Sequence, residues 1–349
     1  MKFSLFYFAA EEPDAAGGKY DLLLDGARFA DENGFEAVWT PERHFDAFGG
    51  LYPSPAITAA AIATITRRVG LRAGSVVLPL NDTIRVAEEW SVIDNLSGGR
   101  VGISFASGWH VNDFVLSPDR FVARKEVMFE EIDSFRRLWR GGSVLRPNGL
   151  GENVEVRVRP HPVQDSPPLW ITAAGSLETA RRAGEIGANL LTHLRGQTID
   201  DVRRLVEVYR QARQQASHDG GGEVTLMVHT YVGRDEREVR EIVRGPLTSY
   251  LSQSLDFAHT QIDALRLDLG LDDISVQDRQ SLLEHAFERY FSTSGLFGTP
   301  LSCIPFVERA REAGVTELAS LIDFGIDVKL VLGSLRHLNV LRMSQREGL

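Results

Sequence analysis

Eight short runs rich in β-branched and aromatic residues recur along the 349-residue chain, at 2–8, 35–39, 69–78, 101–105, 169–173, 188–193, 224–232 and 317–322, with stretches of helical period between them. Strands that alternate with helices pair in parallel, because each parallel neighbour has to be reached by a long crossover. Eight such units predict an α/β fold, a (β/α)8 barrel. From Tyr20 to Asn33, Leu23, Ala27 and Ala30 fall at i, i+4 and i+7; after Asn81, Val86, Trp90, Ile93 and Leu96 are expected on one face. Gly34, Gly187 and Gly314 each follow such a stretch and suit the left-handed position that ends a helix.

Two regions are too long for ordinary connections. Residues 141–168 contain the alternating Val154-Glu155-Val156-Arg157-Val158 and read as a small hairpin before the fifth barrel strand. Residues 235–297 hold more helical pattern than one barrel helix needs, with Leu247, Leu251, Leu255, Leu282, Ala286 and Phe287. Both are expected to decorate one barrel domain spanning 1–349.

Charge and motif content exclude several classes. Lys plus Arg number 38 against 48 Asp plus Glu, a net charge of −10, which disfavours the concentrated positive face of a nucleic-acid binder. Cys303 is the lone cysteine, so neither an internal disulfide nor a cysteine-rich zinc site is available, and a reducing cytoplasm fits. The opening Met1–Phe8 is apolar but too short to span a bilayer and lacks a cleavage signal, so it reads as a strand. Lysines occur only at Lys2, Lys19, Lys125 and Lys329, none placed as a Schiff-base lysine. No G-x-G-x-x-G, P-loop, H-E-x-x-H or G-x-S-x-G pattern occurs, and no H-x-H pair, so no metal site is expected.

Barrel enzymes work at the C-terminal ends of their strands. After the second strand comes Thr40-Pro41-Glu42-Arg43-His44-Phe45, leading to Gly49-Gly50-Leu51-Tyr52-Pro53; the alternative to chemistry there is a structural Glu42–Arg43 pair with His44 capping the next helix. After the fourth come Ala106, Ser107, Gly108, Trp109 and His110, with Asp113 beyond; the plain reading has Trp109 packing a loop and Asp113 starting a turn. After the fifth, Ala174-Gly175-Ser176 leads into Thr179, with Ser176 as helix N-cap; small residues and a helix N-terminus suit a phosphate, although a capping serine is often only structural. The sixth strand ends in Thr192-His193 and the eighth in Ile322-Asp323-Phe324-Gly325; the two readings are lining of the mouth and plain loop architecture, the latter with Asp323 capping the following helix.

In combination and in this order, several segments make the chain resemble the bacterial luciferase-like flavin monooxygenases over nearly its full length. They are Met1–Phe6, Val38-Trp39-Thr40-Pro41-Glu42-Arg43-His44-Phe45, Val77-Leu78-Pro79-Leu80-Asn81, Ile93-Asp94-Asn95-Leu96-Ser97-Gly98-Gly99-Arg100, Ala174-Gly175-Ser176 with Glu178-Thr179, Ala183-Gly184, Gly298-Thr299-Pro300 and Ala313-Gly314-Val315. The loop from Thr40 to Pro53 and the turn Ser107-Gly108-Trp109-His110 look like the natural-product branch, enzymes found with polyketide and nonribosomal peptide synthetases. The resemblance implies a (β/α)8 barrel with insertions that uses reduced FMN from a separate flavin reductase. It also implies O2 as co-substrate, a small-molecule or carrier-protein-bound substrate, and a homodimer. Its catalytic candidates are Glu42, Arg43, His44, Trp109 and His110. Its cofactor-binding candidates are Phe6, Ser75, Ala106, Ser107, Ala174, Gly175, Ser176, Thr179 and His193.

Activated oxygen at a flavin needs a dry surround, for which Phe6, Phe8, Trp39, Phe45, Trp109 and Trp170 are the expected rings. Two departures stand out. Arg43 replaces the first of two consecutive histidines common among relatives, and Ala106-Ser107-Gly108 stands where luciferases carry an arginine for the flavin phosphate. The phosphate is then left to Gly175, Ser176 and Thr179, or to an arginine the sequence does not place. The alternatives are an F420-dependent hydride-transfer enzyme on the same fold and a non-catalytic flavin-binding barrel.

Overall fold

The computed structural model describes residues 1–9, 18–264 and 276–345, with the side chains of 254–280 and Leu282 outside that description. Along the chain run β1 (Lys2–Phe6), α1 (Asp21–Asn33), β2 (Ala37–Thr40), α2 (Pro55–Ile65), β3 (Gly70–Val77), α3 (Thr83–Ser97), β4 (Val101–Ala106) and α4 (Arg124–Trp139). Then follow β5 (Val144–Pro147), β6 (Asn153–Val156), β7 (Leu169–Thr172), α5 (Leu177–Glu185), β8 (Asn189–His193), α6 (Ile199–Gln215) and β9 (Val224–Val232). The last are α7 (Glu236–Ala264), α8 (Val276–Arg289), β10 (Leu296–Gly298), α9 (Ile304–Glu312), β11 (Glu317–Leu321) and α10 (Val328–Ser344).

β1, β2, β3, β4, β7, β8, β9 and β11 pair in that order, every pair parallel, and β11 returns to β1 to close the barrel. These are the eight strands the hydrophobic runs predict. The hairpin is present as β5 and β6, antiparallel with Val144 opposite Val156. The 235–297 region supplies α7 and α8, where Leu247, Leu251 and Phe287 are buried; Leu255 and Leu282 lie outside the described side chains. It also supplies β10, which pairs with Thr230–Val232 of β9 and is too short to signal itself in sequence. Gly34, Gly187 and Gly314 have φ of 72°, 68° and 88°, as a left-handed helix end requires.

One helical face differs from expectation. Val86, Trp90 and Ile93 are buried on α3, but Leu96 is 56% exposed. At about 100° per residue, Leu96 lies roughly a quarter-turn off the stripe centred on the other three.

The barrel interior is filled in part by a buried polar cluster. Glu317 is fully buried and accepts hydrogen bonds from Ser4 Oγ at 2.5 Å, Arg72 at 2.6 Å and Trp39 Nε1 at 3.0 Å. Arg72 lies 5.0 Å from the Trp39 ring and 4.5 Å from the Trp170 ring, an arrangement in which both indoles face a desolvated cation. Despite its burial, Glu317 is held below the usual carboxylate range by Arg72 and by the hydrogen bonds from Ser4, Arg72 and Trp39. Trp39 and Trp170, expected at the mouth, are therefore interior packing around Arg72.

Candidate functional site

The loop after β2 is folded back onto β3 by Glu42. Its carboxylate, 5% exposed, accepts the Val77 N–H at 2.6 Å and Asn81 Nδ2 at 2.9 Å, and meets His44 Nε2 at 3.1 Å. Glu42 does not pair with Arg43. The buried Arg43 guanidinium instead reaches Asp113 beyond β4, joining the loops after strands two and four. Nor does His44 cap the next helix: Ser54 does, accepting the Ile57 N–H. His44 is thus held at the rim by Glu42, half-buried, with its ring 5.4 Å from that of Phe45. Phe45 itself is 65% exposed and does not wall a dry pocket.

The loop after β4 turns at Gly108, φ 74°, where any Cβ would lie 2.8 Å from Val77 Cγ1 and 2.9 Å from the Phe114 ring. This turn buries His110 and leaves Trp109 43% exposed, their rings 5.6 Å apart. Burial, and then the Arg43 charge, push the His110 pKa down to about 4. His110 is therefore neutral at pH 7, with Nδ1 3.9 Å from Asp113. Ala106 and Ser107 are half-buried at the end of β4. Ser75 is buried and bonded to Thr172, which also meets Ser104 at 2.8 Å; Phe6 is buried and stacked on Trp39 at 6.4 Å.

The turn after β7 has the expected form. Ala174 and Gly175 are exposed, Gly175 has φ 84°, and Ser176 caps α5 by accepting the Thr179 N–H at 3.3 Å and the Thr179 hydroxyl at 3.0 Å. A Cβ on Gly175 would sit 3.4 Å from Gln197, so this turn abuts the loop after β8. β8 ends in His193, whose Nδ1 accepts the Arg195 N–H at 3.2 Å, and the loop after it carries Arg195, whose guanidinium lies 5.5 Å from the Trp109 ring. Burial, and then Arg195, push the His193 pKa down to about 4. The loop that meets the Gly175 turn through Gln197 thus also carries a cation, two residues beyond the end of β8.

Asp323, at the end of the barrel's last strand, caps no helix; Asp327 caps α10. It accepts the N–H groups of Phe8 at 2.7 Å and Ala9 at 2.9 Å and the Tyr52 hydroxyl at 3.0 Å, stitching the first and last strands to the loop after β2. Burial outweighs these donors and raises its pKa to about 7. Beside it opens a cavity of about 350 Å³ lined by Leu22, Leu51, Tyr52, Pro246, Tyr250 and Phe324 among others. Arg195, His229 and Tyr250 are the residues here that sequence patterns did not isolate. Among the described residues no group of three or more His, Cys, Asp or Glu could hold a metal ion, and no helix is long and apolar enough to cross a membrane.

The residues at this rim fit a flavin phosphate: an exposed, left-handed glycine turn at a capped helix N-terminus adjoins a loop that carries an arginine. The luciferase-like monooxygenase family matches residues 1–317. The oxygenase component of a flavin-dependent trigonelline monooxygenase from Acinetobacter baylyi is 28% identical over 247 residues, covering 69% of this chain and 67% of that one. Among solved structures, monooxygenase RslO1 from Streptomyces bottropensis superposes with a TM-score of 0.79 at 23% identity, covering 99% of this chain and 100% of that one. The oxygenating constituent of 3,6-diketocamphane monooxygenase from Pseudomonas putida, in complex with FMN, gives 0.74 at 17% identity, covering 97% and 96%. With its closed barrel and this rim, the chain belongs to the luciferase-like monooxygenase family and is a flavin-using enzyme of that family.

Proposed function

We propose that the chain is the oxygenase of a two-component system. It takes reduced FMN from a separate reductase and, with O2, places one oxygen atom in an organic intermediate of natural-product biosynthesis, free or tethered to a carrier protein. A cytoplasmic homodimer is part of the same reading. The observation that carries it is the contact of the Ala174-Gly175-Ser176 turn with the loop bearing Arg195. An anion at that turn would meet backbone donors and the positive end of α5, with Arg195 two residues from Gln197 on the adjoining loop.

In this reading Gly175, Ser176, Thr179 and Arg195 hold the phosphate, and Arg195 supplies the arginine absent after β4. Phe6, Ser75, Ala106 and Ser107 line the side of the mouth where the ring system rests, and neutral His193 offers it a hydrogen bond. Bound reduced flavin supplies the electrons that activate O2. His44, oriented by Glu42, is the group that gives or takes a proton beside it. Arg43 fixes the loops through Asp113, while Trp109 and His110 form the wall between them.

The test is incubation with FMN, a reductase, 18O2 and a panel of free and carrier-bound candidate substrates, read by mass spectrometry. One 18O atom per product supports the reading. Substrate reduction without label, supported by F420 in place of FMN, would replace it with hydride transfer.

A further inference from the structure

His229 is assigned nothing by the reading above, yet it is placed as few buried histidines are. It is the sixth of nine residues in β9, opposite Leu321, the last residue of β11, and is 5% exposed. Three rings surround it edge-on: Tyr250 at 4.8 Å, Tyr290 at 5.5 Å and Phe324 at 5.5 Å between centroids. Its Nε2 is buried and has no hydrogen-bond partner among the described residues. Burial and the neighbouring His193 and Arg195 push its pKa down to about 3, so the ring is neutral.

A buried polar atom without a partner costs stability, and a phenylalanine would fill the same aromatic cage without that cost. Such atoms persist where something outside the free protein pairs with them. The surroundings describe what that is. Tyr250 and Phe324 are shared between the His229 cage and the cavity beside Asp323, whose other walls include Leu22, Leu51 and Pro246. The aromatic wall continues from Tyr250 to Phe48 at 4.9 Å and on to Phe8 at 5.2 Å, and from Phe324 to Phe297 at 6.0 Å. Asp323 in the same cavity already has three donors, two of them backbone N–H groups.

We infer that His229 is a specificity-determining residue whose Nε2 hydrogen-bonds the hydroxyl of an otherwise apolar, planar substrate bound against Tyr250 and Phe324. A hydroxyl both donates and accepts, so it satisfies either neutral tautomer. A site built to pair a substrate hydroxyl rejects the analogue that lacks one far more strongly than an apolar pocket rejects a missing methylene. That the ligand is a substrate rests on the oxygenase reading; that the cage binds a hydroxyl does not.

The test uses the full chain, with His229→Phe to keep the ring and remove the nitrogens, and His229→Gln to keep hydrogen-bonding capacity. Calorimetric titration compares 2-naphthol with 2-methylnaphthalene, alongside melting temperature and reduced-FMN affinity. The wild type is expected to prefer 2-naphthol by roughly tenfold or more. His229→Phe should abolish that preference, melt at a higher temperature and bind FMN unchanged, while His229→Gln keeps part of the preference. Equal binding of the two probes by the wild type, no binding of 2-naphthol, a preference that survives in His229→Phe, or a lower melting temperature for that variant would each overturn the inference. Hydroxyl discrimination that holds while FMN fails to bind would instead remove the oxygenase reading and leave the His229 cage standing.

Discussion

Glu42 accepts the backbone N–H of Val77 at 2.6 Å, and through that bond the loop after β2 is tied to the end of β3. The same carboxylate meets His44 at 3.1 Å. Glu42 is therefore a positioning residue, its charge spent on holding a loop and aiming an imidazole.

His44→Ala should cost roughly 10²–10⁴-fold in coupled oxygenation, the usual range for a lost general acid or base, with FMN affinity close to wild type. Glu42→Ala should differ in kind: it leaves the Val77 N–H without its acceptor, so about 1–3 kcal/mol of stability goes along with the activity. Denaturant unfolding of both variants separates the two. An unchanged product yield and pH profile in His44→Ala would make His44 structural.

The proposed phosphate site yields a pair of variants. Arg195→Ala should weaken FMN by about 10–100-fold, the worth of a charge-assisted hydrogen bond, and leave riboflavin affinity alone. Ser176→Asp keeps a good N-cap for α5 but sets a negative charge against the phosphate, so FMN should weaken by roughly tenfold without loss of thermal stability. FMN affinity that survives both changes would move the phosphate elsewhere.

Asp323 makes stability depend on pH in an unusual direction. Its pKa is raised to about 7 in the fold, above the ordinary value near 4, so the folded chain binds more protons than the unfolded chain between those values. Stability from this group is highest below about pH 4 and falls as pH rises through about 7. Urea midpoints measured from pH 4 to 8 should decline less steeply in Asp323→Asn, at the expense of a lower starting value from imperfect pairing with Phe8, Ala9 and Tyr52. An identical pH slope in the variant would contradict the assignment.

Inside the barrel, Arg72 and Glu317 form a buried pair at 2.6 Å. Glu317→Leu alone leaves the guanidinium only its longer contact with Glu36 at 3.4 Å and should cost about 3–5 kcal/mol. Adding Arg72→Met removes the guanidinium and should recover much of that loss, which chemical denaturation of the single and double variants will show.

Regular spacing made the scaffold legible. Alternation of β-rich runs with helical period carries all eight barrel strands, and Ser176 announces its capping role because a serine before a helical stretch has a local, mechanical reason to be there. The rim was harder because its bonds are long-range. Nothing near Arg43 in sequence indicates that it meets Asp113, 70 residues on, rather than its neighbour Glu42. Nor does the chain near Asp323 reveal that its partners are Phe8, Ala9 and Tyr52, which only barrel closure brings to it. Arg195 lies just past a strand end, exposed, between Gly196 and the buried Leu194, and becomes notable only when the turn at Gly175 is seen against Gln197.

The measurement that bears most directly on the account is an anaerobic titration of the full chain with photoreduced FMN and with photoreduced riboflavin, which differ only in the phosphate. Reduced FMN should bind at least about tenfold more tightly, with the difference collapsing in Arg195→Ala. Equal affinity for the two flavins, or binding of neither, would contradict the account.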